Sequence, residues 1–103
     1  MSSQIPTKML FADKIRQLRE EKQLFQRQVS AFLEMDNALY CKIERGDRQA
    51  KREHVIKLAE LFETNCDMLL SLWLADKVTA VVKEDKEISD EVLNIAKRNI
   101  KKQ

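Results

Sequence analysis

The chain has 103 residues, enough for one domain or for a small domain with an extension. A formal net charge of +2 is too small to argue by itself for a polyanionic partner, and one Gly and one Pro leave little turn chemistry for a sheet. The composition implies an all-α protein with short connections, and two cysteines with a single histidine exclude a zinc-finger type of site.

Residues 1–8 carry no periodicity and read as an N-terminal arm. From Met9 to Lys22, Leu10, Phe11, Ile15 and Leu18 fall on one face and Lys14, Arg16 and Glu20 on the other, which predicts a first helix. Two short helical patterns follow, QRQVSAFL from Gln26 and NALYCKIER from Asn37, parted by the polar break Glu34-Met35-Asp36. Val29, Leu33, Tyr40 and Ile43 are spaced to turn inward on both. Asp36 stands where an N-cap belongs, and Gly46 supplies a left-handed stop after Arg45. This is the sequence form of a helix-turn-helix, whose second helix is shaped for the major groove of DNA.

A fourth helix is predicted over about Lys51 to Glu63, with Val55, Leu58, Ala59 and Phe62 inward. Asn65-Cys66-Asp67 interrupts the pattern, with Asp67 as the expected cap of a fifth helix. From Met68 to Val82 the chain is apolar nearly all round, more than a small monomer can bury. The charged break Lys83 to Glu87 leads to a last amphipathic helix, about Ser89 to Lys102, with Ser89 as its N-cap. Its stripe is Ile88, Val92, Ile95, Ala96 and Ile100, with acidic residues at its start and basic ones at its end. The expected organisation is an arm over 1–8, a DNA-binding domain over 9–75 and a helical extension over 76–103 that serves dimerisation. No secretory core or bilayer-length apolar run is present, so a cytoplasmic location with reduced thiols and no membrane contact is expected.

The stretch from Gln26 to Gly46 resembles the helix-turn-helix of the XRE family, the phage Cro/repressor type of transcriptional regulator. Gln26 matches the Gln that opens the family's first motif helix, and Ser30 its small residue at the helix crossing. Ile43-Glu44-Arg45-Gly46 matches the family's Ile-Glu-x-Gly ending. Residues 15–22 resemble the family's first helix and residues 55–62 its fourth, so the likeness covers roughly residues 9 to 75. It implies a five-helix Cro/repressor-like domain. Three positions depart from the pattern: Glu34 stands where Gly is usual, Phe25 where a hydroxyl cap is usual, and Tyr40 where an aliphatic is usual. A left-handed Glu34 costs about 1 kcal/mol unless the turn is reshaped.

The resemblance also implies site roles. Gln26 would donate to a phosphate and brace the first side chain of the reading helix. Asn37 takes a base-contacting position, with the alternative that it only satisfies backbone at a helix start. Ala38 suits a thymine methyl, and Lys42, one turn on, reaches a base edge or a phosphate. Cys41 also belongs to this surface; as a redox switch it has only Lys42 nearby to activate it, so it reads as an ordinary small residue. Lys42, Arg45, Arg48, Lys51 and Arg52 face only Glu44 and Asp47 in charge, a local excess where a DNA backbone would pass. Arg19 and Glu44 match a family ion pair tying the first helix to the end of the third. Leu70, Trp73, Leu74, Val78 and Val81 are the expected dimer contacts, with Trp73 read as a packing anchor either in the core or between subunits.

Together these features imply a repressor acting as a homodimer on a two-fold related operator in double-stranded DNA, with no cofactor and no metal. The alternative is an antitoxin or adaptor whose apolar C-terminal helices bind a protein partner of unstated identity, with DNA binding for autoregulation. An enzyme is disfavoured, because no paired carboxylates, activated nucleophile or phosphate loop stands at workable spacing.

Overall fold

The computed structural model describes residues 9–103, so the arm predicted over residues 1–8 lies outside the described residues. Every regular element among them is helical: α1 (Leu10–Glu21), α2 (Gln26–Phe32), α3 (Asn37–Arg45), α4 (Arg52–Phe62), α5 (Cys66–Val82), a 3₁₀ segment (Lys83–Ile88) and α6 (Ser89–Lys101). The core is the set of positions the helical period turns inward. Ile15, Val29, Tyr40, Val55, Leu58 and Leu69 have no exposed surface, and Phe62 seals the end of α4. α2 and α3 pack on each other, while α1 lies against α3, α4 and α5 and so closes the domain.

α1, α2, α3 and α4 all end alike. Gln23, Glu34, Gly46 and Glu63 sit at φ of 58°, 57°, 84° and 53°, in the left-handed region. In each case that residue's N–H bonds the carbonyl three back, and the next N–H bonds the carbonyl five back, which is the Schellman closure. Only Gly46 is a glycine, and it is the one with the largest φ and little room for a side chain. A Cβ there would lie 3.0 Å from the Met9 side chain as well as carrying the strain of its φ. The turn at Glu34 is therefore not reshaped, and Glu34 adopts the conformation its Gly counterpart would hold.

Helix starts depart from expectation in three places. Asn65, not Asp67, caps α5: its Oδ1 accepts the Met68 N–H at 2.8 Å, leaving Asp67 inside the first turn. Ser89 is already helical, and its hydroxyl donates back to the Lys86 carbonyl instead of capping α6. α1 has no side-chain cap of its own at Met9; Asp76 of α5 provides it from across the fold. Leu10 N–H donates to Asp76 Oδ1 and Phe11 N–H to Oδ2, each at 3.0 Å. The boundary expected between residues 75 and 76 thus falls inside a continuous helix, one residue before a side chain that the domain uses.

Two substitutions probe these ends by urea unfolding. Glu34→Gly is expected to stabilise the domain by up to about 1 kcal/mol, by relieving a left-handed non-glycine. Asp76→Ala strands two helix N–H groups and is expected to cost about 0.5–2 kcal/mol. An Asp76→Ala protein as stable as the parent would show that water replaces the cap.

Candidate nucleic-acid interface

The third helix is held by a buried carboxylate. The Glu44 residue is 3 % exposed, and it accepts from Arg19 Nε at 2.6 Å, Arg19 Nη2 at 3.1 Å, Gln26 Nε2 at 3.0 Å and Tyr40 Oη at 2.7 Å. Arg19 spends a further donor on the Leu24 carbonyl at 2.8 Å, closing the α1–α2 connection. One carboxylate therefore gathers α1, α2 and α3. Tyr40 has no exposed surface, and Glu44 is the partner its hydroxyl requires.

Burial by itself would raise the Glu44 carboxyl, but the hydrogen bonds from Arg19, Tyr40 and Gln26 outweigh it and hold the group below its ordinary 4.5. Burial, then the bond to Glu44, pushes the Tyr40 phenol above its ordinary 10.0. The bond to Glu44 keeps the Arg19 guanidinium more firmly protonated than usual.

Opposite Tyr40, Ile43 and Glu44, the outer face of α3 presents Ala38, Lys42 and Arg45, all exposed. Asp36 caps the helix by accepting the Ala38 N–H at 3.1 Å, so the Asn37 side chain is not needed there. Asn37 is exposed, and its Oδ1 lies 3.2 Å from the hydroxyl of buried Ser30, whose one proton goes there or to the Arg27 carbonyl at 3.1 Å. The resemblance implies that Gln26 braces Asn37, the first side chain of α3, but its side chain bonds elsewhere. Its amide donates to Glu44 and accepts from the half-buried Cys41 thiol at 3.2 Å, so Cys41 sits on the flank that faces α2. Phe25 offers no side-chain acceptor; instead Gln28 Oε1 takes the Phe25 N–H at 2.7 Å.

The basic residues lie beside this face. Arg48, Lys51 and Arg52 are exposed on the α3–α4 connection and the first turn of α4. Arg45 is partly neutralised by Asp47, with Nε 3.1 Å from Oδ2. Trp73 is what fixes the connection. Its indole N–H donates to the Ala50 carbonyl at 2.9 Å, while Lys77 Nζ and Arg52 Cζ lie 3.8 and 5.3 Å from its ring centre. Trp73 is 8 % exposed and belongs to its own chain's core, so within the chain it is a packing anchor and offers little surface as the dimer contact expected of it. Leu70 is half-buried as well, whereas Leu74, Val78 and Val81 stay exposed at 41 %, 44 % and 77 %. Sequence reasoning did not find Asp76, although a lone acid amid an apolar run was a signal that could have been followed.

A short α2, a tight turn and an α3 that shows a polar and basic outer face define a DNA-binding helix-turn-helix. A helix-turn-helix domain model matches residues 10–72, more than half of the chain, and the protein belongs to that family. No curated protein and no solved structure matches it.

The Glu44 cluster makes stability depend on acid. A carboxyl lowered by folding contributes stability that is present above its unfolded value and lost as pH falls through its folded value. Unfolding free energy is expected to decline below pH 4.5. Glu44→Gln should cost about 3–5 kcal/mol at neutral pH by stranding Arg19, and should make that decline shallower. Tyr40→Phe, a milder change that removes one bond to a charge, should cost about 1.5–3 kcal/mol. Denaturant titrations between pH 3 and 7 measure both, and parallel acid limbs for parent and Glu44→Gln would contradict the assignment.

Proposed function

We propose that the protein is a transcriptional regulator of the XRE kind, a repressor that binds a two-fold related operator as a homodimer in the cytoplasm. The observation that carries this reading is the division of labour in α3. Its inner face is locked by Glu44, and its outer face, Asn37, Ala38 and Lys42, is left free of backbone duties. Asn37 can bond adenine N6 and N7, Ala38 can meet a thymine methyl, and Lys42 can reach a guanine edge or a phosphate. Arg48, Lys51 and Arg52 would hold the backbone, with Arg45 beside them and the second proton of the Gln26 amide directed to a phosphate. Cys41 lies at the edge of this surface, with its thiol turned toward Gln26.

Two such surfaces set about one turn of DNA apart, roughly 34 Å, would read two half-sites. The exposed Leu74, Val78 and Val81 line of α5 is the apolar surface through which α5 would contribute to joining the subunits.

Selection of bound sites from random duplexes tests the reading. It should return a two-fold related sequence, with affinity falling roughly 10³–10⁵ between 50 and 200 mM salt. On that site Asn37→Ala should cost about 1–3 kcal/mol at one base position and relax preference there. Arg48→Ala should instead weaken all duplexes alike and flatten the salt slope. No enrichment of any sequence would sink the proposal.

A further inference from the structure

α6 stands apart from the domain that precedes it. None of its 13 residues is buried, and its main packing within the chain is against the 3₁₀ segment next to it. Ile88, Val92, Leu93, Ile95 and Ile100 nonetheless show 51 %, 37 %, 37 %, 50 % and 69 % of their surfaces to solvent. A helix of this length is marginal in water when nothing packs against it. A second observation says what covers it. Its first turn carries Asp90 and Glu91, and its last turn carries Arg98 and Lys101. Such a helix is self-complementary when a copy of it runs the opposite way, acid end against basic end.

We propose that α6 pairs with α6 of a second copy of this chain in antiparallel fashion, about a two-fold axis near Ile95. This deepens the homodimer proposed above by naming the element that joins it. At 100° per residue, Val92, Ile95 and Ala96 form the centre of the strip that would be buried, with Ile88 at the end of the 3₁₀ segment just ahead of it, and Glu91, Arg98 and Lys102 lie along one flank. In an antiparallel pair related by a two-fold, each flank meets its own counterpart. Glu91 of one copy then faces Arg98 of the other, and the contact occurs twice. A parallel pair would set like ends together. Within one helix Glu91 and Arg98 are two turns apart, too far to pair with each other, so these two side chains can form an ion pair only between copies. Asn99 lies within the strip, where a polar residue favours one register over its neighbours.

Sedimentation of the full chain over a concentration series tests the pairing by charge exchange. The parent should associate from 12.1 kDa to twice that mass. Glu91→Arg and Arg98→Glu alone should each weaken association roughly tenfold, since two attractions become two repulsions. The two together should recover most of it. A monomer at every concentration would overturn the proposal and leave the face to a different protein. Association unaffected by the single changes but lost on Val81→Glu would also overturn it, placing the joint on α5. Affinity for a single half-site duplex, measured on the same variants, reports on the DNA-reading surface independently. Its loss in the parent would count against the DNA reading and leave the pairing standing.

Discussion

The position of α3 depends on one buried carboxylate. Glu44 lies at the inner side of α3 and takes hydrogen bonds from α1, α2 and its own helix at once. A buried ion pair adds little net stability compared with apolar packing, but it tolerates only one geometry. An apolar side chain at position 44 could slide by a fraction of a turn. A carboxylate holding Arg19 on both oxygens cannot, because rotation of α3 would break the fork. What the cluster supplies is orientation: the face carrying Ala38 and Lys42 stays aimed because its opposite face is tied.

Trp73 plays the corresponding part for the residues beside α3. The connection from Gly46 to Lys51 holds no regular structure, yet it carries Arg48 and leads into Lys51 and Arg52. A loop free to move would lose much of its charge attraction to ordering entropy. The indole bond to Ala50 and the burial of Ala50 pin it to α5. Both parts of the candidate interface are therefore set from behind, chiefly by the buried side chains of Glu44 and Trp73.

The apolar skeleton was legible in the sequence because the helical period fixes it: Val29, Leu33, Tyr40 and Ile43 are all under 5 % exposed. The family register was enough to set Arg19 opposite Glu44, whose atoms lie 2.6 Å apart. It was not enough to show Tyr40 and Gln26 joining them, since polar contacts between elements follow no period. Capping went astray at α5 because Asn65 and Asp67 are both good caps two residues apart, and only backbone geometry chooses between them. Ser89 failed as a cap for a related reason: the chain enters α6 through a 3₁₀ turn, so the residue before it is not extended. Trp73 was expected at the dimer contact because α5 is apolar all round, and its period could not say which side faces the core.

The bond between Asp76 and the start of α1 joins residues 65 and 66 positions apart. It links the beginning of the domain to a point beyond Leu72, where the family match ends. Local opening of either segment would break both bonds, so the first turn of α1 and the middle of α5 are expected to open as one unit. In hydrogen exchange, the Leu10 and Phe11 amides would keep time with α5 and not with the frayed start of an ordinary first helix. The unit expected to unfold together is longer than the unit that the motif defines.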